Sequence, residues 1–229
     1  MSYYYRHDEM LETIARNVIS QYDPMLLLKP SMIPVEDIME KVYNLSLEFQ
    51  YIRKNGRILG ETVFEDAEIP IYEYKDNEGY TLIPVKAGTV IIDASLLHNQ
   101  SDGRFQFTCA HELAHWVIDK NYFMQLGETA NMTCGEADTE FANELLEANK
   151  TVQNDFTEAR AIKSSDTSAA VERQANRMAS RILMPKCTVK MAFYDARNNT
   201  HSIIADLAEL YSVSKQAMKI RLNEIGLLH

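Results

Sequence analysis

Phe107 to Ile118 reads FTCAHELAHWVI, with His111-Glu112-Leu113-Ala114-His115 at its centre. Two histidines four residues apart share one face of a helix, where both imidazoles can converge on a single metal ion. The glutamate after the first histidine lies beside that metal, placed to take a proton from water. At about 100° per residue, Cys109, Ala110, Leu113, Trp116 and Val117 gather on one side of this helix. Thr108, His111 and His115 share another, and Glu112 lies at the border. The apolar side can pack into a core while the histidines face a cleft. The competing reading is a helix with two ordinary histidines and a glutamate, and the segregated faces weigh against it.

A chain of 229 residues can bury a core around such a helix and fits one domain plus an appendage. With 46% hydrophobic and 24% charged residues it reads as globular rather than disordered. A net charge of −10 opposes broad affinity for phosphate backbones, so DNA binding is not expected. Cys109, Cys134 and Cys187 form neither an even framework nor a C-x-x-C pair, which points to a reducing compartment. Cys109 points away from the histidine face and reads as a small buried residue. MSYYYRHDEM has no cationic start or apolar run, and Met25 to Leu28 is far too short to span a bilayer. The expectation is a cytoplasmic protein without a membrane segment.

His7 to Tyr22 has the spacing of an amphipathic helix, with Met10, Leu11, Ile14, Ala15, Val18, Ile19 and Tyr22 on one face. Asp8 is positioned to cap it and Asp23-Pro24 to stop it. A second helix follows Pro34. From Leu45 to Asp93 the period changes to that of strands: SLEFQYI, ETVFE, IPIYEY, YTLIPV and TVIID, separated by turn formers such as Asp76-Asn77-Glu78-Gly79. A small, mostly antiparallel sheet is expected ahead of the histidine helix, with an edge that could hold an extended peptide.

Asn121 to Thr167 reads as an irregular acidic insertion, with nine acidic residues against Lys150, Arg160 and Lys163 and a weak helix over Asp138 to Asn149. It is either a solvated insertion or a lid selecting basic segments. A further helix is expected over Ser168 to Met184, stopped by Pro185. Val171, Ala175, Met178, Ala179, Ile182 and Leu183 form its inward stripe, with Arg173, Gln174, Arg177 and Arg181 facing out. Glu172 and Asn176 fall at the edge of the stripe, one turn apart. An inward carboxylate is costly unless paired or bound to a cation. As third metal ligand, Glu172 would complete a His₂Glu site with a position open for water. Its other reading is a first-turn glutamate complementing the helix dipole. Asn176 could orient the ring of His111.

FTCAHELAHW, VERQANRMASRILMP and VSKQAMKIRLNEIGL together resemble the ImmA/IrrE family of metallo-endopeptidases. TVIIDASLL and IPVEDIMEKVYNLSLEF extend the likeness over roughly Ile33 to Leu228. The resemblance implies an α+β, zincin-like fold, one zinc ion per chain, and intracellular limited proteolysis of a protein substrate, often a repressor. It implies His111, His115 and Glu172 as metal ligands and Glu112 as catalytic base. Where related gluzincins carry E-x-x-x-D, this chain has Glu172 followed by Asn176. The domain expectation is a peptidase domain over residues 1–188, with the acidic insertion at about 121–167, and a helical tail over 189–229.

Ser202 to Leu228 reads as two helices joined at Tyr211-Ser212-Val213, with Ser214 as cap of the second. This resembles a helix-turn-helix in which Ser212 replaces the turn glycine. Lys215, Lys219 and Arg221 stand where phosphate contacts would be, but six basic against four acidic residues from Lys186 onward is a weak balance for DNA. Packing on the catalytic domain or docking a protein is the preferred role. His98, Tyr122, His201 and Tyr211 are the candidate oxyanion donors. Two other classes stay open: a non-catalytic, zinc-containing regulator that binds DNA or a repressor through the tail, and a hydrolase of small molecules.

Overall fold

The structure is a computed structural model describing residues 3–52, 59–72, 79–97, 103–126, 132–134, 164–196 and 202–228. The chain divides into two compact units, Pro34–Glu136 and the combination of Met1–Ile33 with Ala137–His229.

In the described part of the first unit, helices and strands mix. Helix α2 (Val35–Lys41) precedes β1 (Ser46–Gln50), β2 (Gly60–Thr62), β3 (Ala67–Tyr72), β4 (Tyr80–Val85) and β5 (Thr89–Asp93). Helix α3 (Arg104–Ala114) runs on through a π-helical turn, His115–Asp119, into α4 (Lys120–Leu126). A short strand, β6 (Met132–Cys134), follows. The sheet order is β1-β5-β2-β6, with β1 and β5 parallel and the other two pairings antiparallel. Strands β3 and β4 form a separate antiparallel hairpin, with Ile69 opposite Ile83. The fold class is therefore α+β with a mostly antiparallel sheet, as the strand periodicity suggests.

Strand β5 is buried along its whole length because it has a neighbour on each edge. Ile52, Val63, Ile69, Val85 and Ile91 make a core cluster with Ala67 and Ile83 against it. Phe64 stacks on Trp116 and Phe123, and Phe49 on Phe105, fastening the strands to α3 and α4. Gly88, at φ +87°, turns the chain tightly into β5 beside Leu45 and the Trp116 ring, a backbone region where a Cβ is strained. Asp93 closes β5: its carboxylate accepts from the Ile52 and Ser95 amides at 3.3 and 3.0 Å.

The other unit is helical in its described residues: α1 (Asp8–Tyr22), a 3-10 turn (Pro24–Leu27), α5 (Ser164–Leu183), α6 (Lys186–Ala196), α7 (Ile203–Leu210) and α8 (Lys215–Glu224). Leu11, Ala15, Val18 and Ile19 form the buried face of α1, and Asp23 stops the helix and bonds the Met25 amide. Ser214 caps α8 through the Ala217 amide, and Ser212 supplies the left-handed turn at φ +52° that a glycine would take more easily. None of the described helices is long and apolar enough to cross a membrane.

Four expectations are corrected. Asp8 does not cap α1; His7 holds the cap position, and Asp8 pairs with Arg177 and Arg181 instead. Gln174, Arg177 and Arg181 do not face out: they are buried, because acids and tyrosines of the N-terminal segment meet them. Gln174 bonds Tyr3 and the Arg6 amide, and Arg177 bonds Tyr5. Arg221 is no phosphate contact; it is buried, donating to Met184 O at 3.0 Å and to Glu12 at 2.5 Å. The segment after Asn121 is not irregular throughout, since Asn121 to Leu126 is helical and Met132 to Cys134 gains strand structure by pairing with β2. The helix expected over Asp138 to Asn149 lies outside the described residues. Helix α6 is an element that the periodicity of the sequence did not reveal.

Candidate metal centre

Helix α3 carries His111 and Glu112, and His115 opens the π-helical turn that continues it; all three are fully buried. Its three-and-four spacing keeps the two imidazoles on one face. Their Nε2 atoms are 2.8 Å apart, and the rings meet edge to face at 78°. Two buried imidazole nitrogens this close on one face suit a shared cation.

The Glu112 carboxylate is held from strand β2. Thr62 donates its hydroxyl to Oε2 at 2.6 Å and lies 3.2 Å from the Glu112 carbonyl. Two residues earlier, Gly60 leaves the space that the other carboxylate oxygen occupies: a Cβ there would stand 2.5 Å from Oε1. Glycine is needed here for room.

Asp119 is equally buried, and its Oδ2 lies 2.9 Å from His115 Nδ1. Cys109, on the opposite side of α3, has its thiol pushed well above the usual range by burial, with Glu36 and Glu112 adding to the effect. It is not a candidate ligand at neutral pH.

Glu172 is half-buried on α5, and Asn176 follows it one turn later, buried. His111 and His115 in one unit and Glu172 in the other offer ligand atoms of the types that could hold a metal ion. Two imidazoles and a carboxylate are a donor set that suits zinc and leaves a position open. Of the candidate oxyanion donors, His98 and His201 lie outside the described residues. Tyr122 is half-exposed on α4. Tyr211 is buried in the helical unit, where burial pushes its phenol up to about 12.

Sequence reasoning missed Gly60, Thr62 and Asp119. For Asp119 a signal existed: it repeats the four-residue step from His115, as the only acid in the apolar run WVID. For Gly60 and Thr62 there was none, since their relation to Glu112 spans fifty residues and exists only once β2 lies along α3.

Residues 135–223 match the family model Peptidase_M78, the IrrE N-terminal-like domain. The matched span contains Glu172 and Asn176 and follows the histidine pair. No curated protein matches the chain. The likeness read from three sequence segments and this match point to the same family, the ImmA/IrrE peptidases.

Proposed function

We propose that this protein is a zinc-dependent endopeptidase of the cytoplasm, with a zincin-like catalytic fold, that cuts a protein substrate at few positions. The substrate class is a transcriptional repressor of helix-turn-helix type. The observation that carries this reading is the convergence of His111 and His115 Nε2 at 2.8 Å beside a buried, hydrogen-bonded Glu112. His111, His115 and Glu172 are the proposed ligands of one zinc ion, with Asn176 orienting His111.

Zinc held there would supply Lewis-acid polarisation of the scissile carbonyl. Glu112 is the general base. It takes a proton from the attacking water as the new C–O bond forms, then returns it to the amine nitrogen as the C–N bond breaks. Thr62 fixes one carboxylate oxygen, and the space at Gly60 admits the other, so the base enters the reaction already oriented. The helix-turn-helix-like pair α7–α8 serves as a packing or protein-docking element, because Arg221, one of its three cations, is spent on an internal network.

The test is Glu112→Gln. It is expected to keep about one zinc per chain by elemental analysis and to lose cleavage by about 10²-fold or more. A fully active variant removes Glu112 from the mechanism. If wild type and variant bind a repressor equally and neither yields a cleaved product, the protein is a regulator instead of an enzyme.

A further inference from the structure

We propose that Asp119 is a positioning residue of the metal centre, acting through His115. The inference rests on the reading of His115 as a metal ligand. Both side chains are fully buried, and Asp119 Oδ2 stands 2.9 Å from His115 Nδ1. An ionised carboxylate only accepts hydrogen bonds, so Nδ1 of His115 must carry the proton and donate. The ring is thereby locked into the tautomer whose Nε2 bears the lone pair. That Nε2 is the atom 2.8 Å from His111 Nε2. One contact sets both the rotation of the ring and the identity of its free nitrogen, and the negative charge behind the ring raises its basicity toward a cation.

The local backbone supports the assignment. His115 to Asp119 is π-helical within an otherwise α-helical run, and a single wide turn of this kind is characteristic of functional sites. The turn begins at the proposed ligand and ends at the carboxylate that holds it. The sequence gives this acid apolar company: Trp116, Val117 and Ile118 fill the interval. The adjacent cation, Lys120, places its Nζ over the Trp116 ring, 3.6 Å from the centroid. A carboxylate kept fully buried in such a segment incurs a large desolvation cost unless its charge is used.

The experiment compares wild type, Asp119→Asn and Asp119→Ala by zinc affinity, measured through competition with a chromogenic chelator, and by thermal unfolding of each zinc-free protein. Asparagine keeps an acceptor for Nδ1–H without the charge, and alanine removes both. Affinity is expected to fall about tenfold in Asp119→Asn and towards about 100-fold in Asp119→Ala. The zinc-free Asn variant should unfold within a few degrees of wild type, so that the loss is not one of folding. Should Asp119→Ala fail to fold, the Asn variant against wild type decides. Unchanged affinity in the folded variants, with one zinc in the wild type, overturns the role of Asp119 and leaves the metal centre standing. A wild type that takes up no zinc overturns the metal centre and this inference with it.

Discussion

Gly60 and Glu112 show how much of this site turns on one residue's missing atoms. A methyl group on Gly60 would press into the Glu112 carboxylate at 2.5 Å, against a side chain already held by Thr62. The carboxylate would have to leave the position from which it reaches water, while the histidines on the same helix need not move. Gly60→Ala is therefore expected to retain zinc and to lower kcat by about 10²-fold, the usual consequence of misplacing a catalytic group by about an ångström. Elemental analysis beside a cleavage assay checks both halves. Wild-type turnover in Gly60→Ala would mean that Glu112 does not act from this position.

At the scale of elements, the helical unit is tied together by charge as well as by its apolar stripes. Arg177 and Arg181 of α5 reach Asp8 of α1, and Arg221 of α8 reaches Glu12 of α1 and Glu224 of its own helix. Burying guanidinium groups is tolerable only because these acids meet them. Burial alone would raise the Asp8 carboxyl, but Arg181 and Arg177 outweigh it and hold the carboxyl below its ordinary 3.8. A depressed carboxyl stabilises the fold fully above its unfolded value and loses that contribution as pH falls through the folded one. Asp8→Asn should thus unfold at lower temperature than wild type near neutrality, and the gap should close as the pH is taken below about 3.8. Thermal unfolding across that range is the measurement, and a gap independent of pH would show that the carboxylate charge is not what binds α1 to α5. The heptad-like periodicity of α5 gave its apolar stripe correctly and its arginines wrongly. Their partners lie some 170 residues earlier in the chain, where no local spacing can point.

For the whole molecule, the proposed ligands come from α3 and α5, elements far apart in sequence. An unfolded chain does not hold such a set together, so zinc should bind the folded protein in preference and stabilise it by mass action. Free zinc at about 100 times its Kd is expected to add about 2.7 kcal/mol to the unfolding free energy. Calorimetry should register this as a higher Tm that a chelator reverses, and His115→Ala should not respond. A wild-type Tm indifferent to zinc would count against the metal centre.

The sequence by itself determined what depends on near neighbours: the histidine pair and its glutamate on one helix, the strands from Ser46 to Asp93, and the Ser214 cap that starts α8. It also carried the family resemblance, through segments long enough to be specific. Tertiary structure alone decided which charges are buried, that Thr62 and Gly60 cradle Glu112, and that Met132 to Cys134 is a strand at all. The reason is one of range. Helix and strand periods relate residues a few positions apart, whereas the burial of an arginine or the setting of a carboxylate depends on groups that only the folded chain brings within a hydrogen bond.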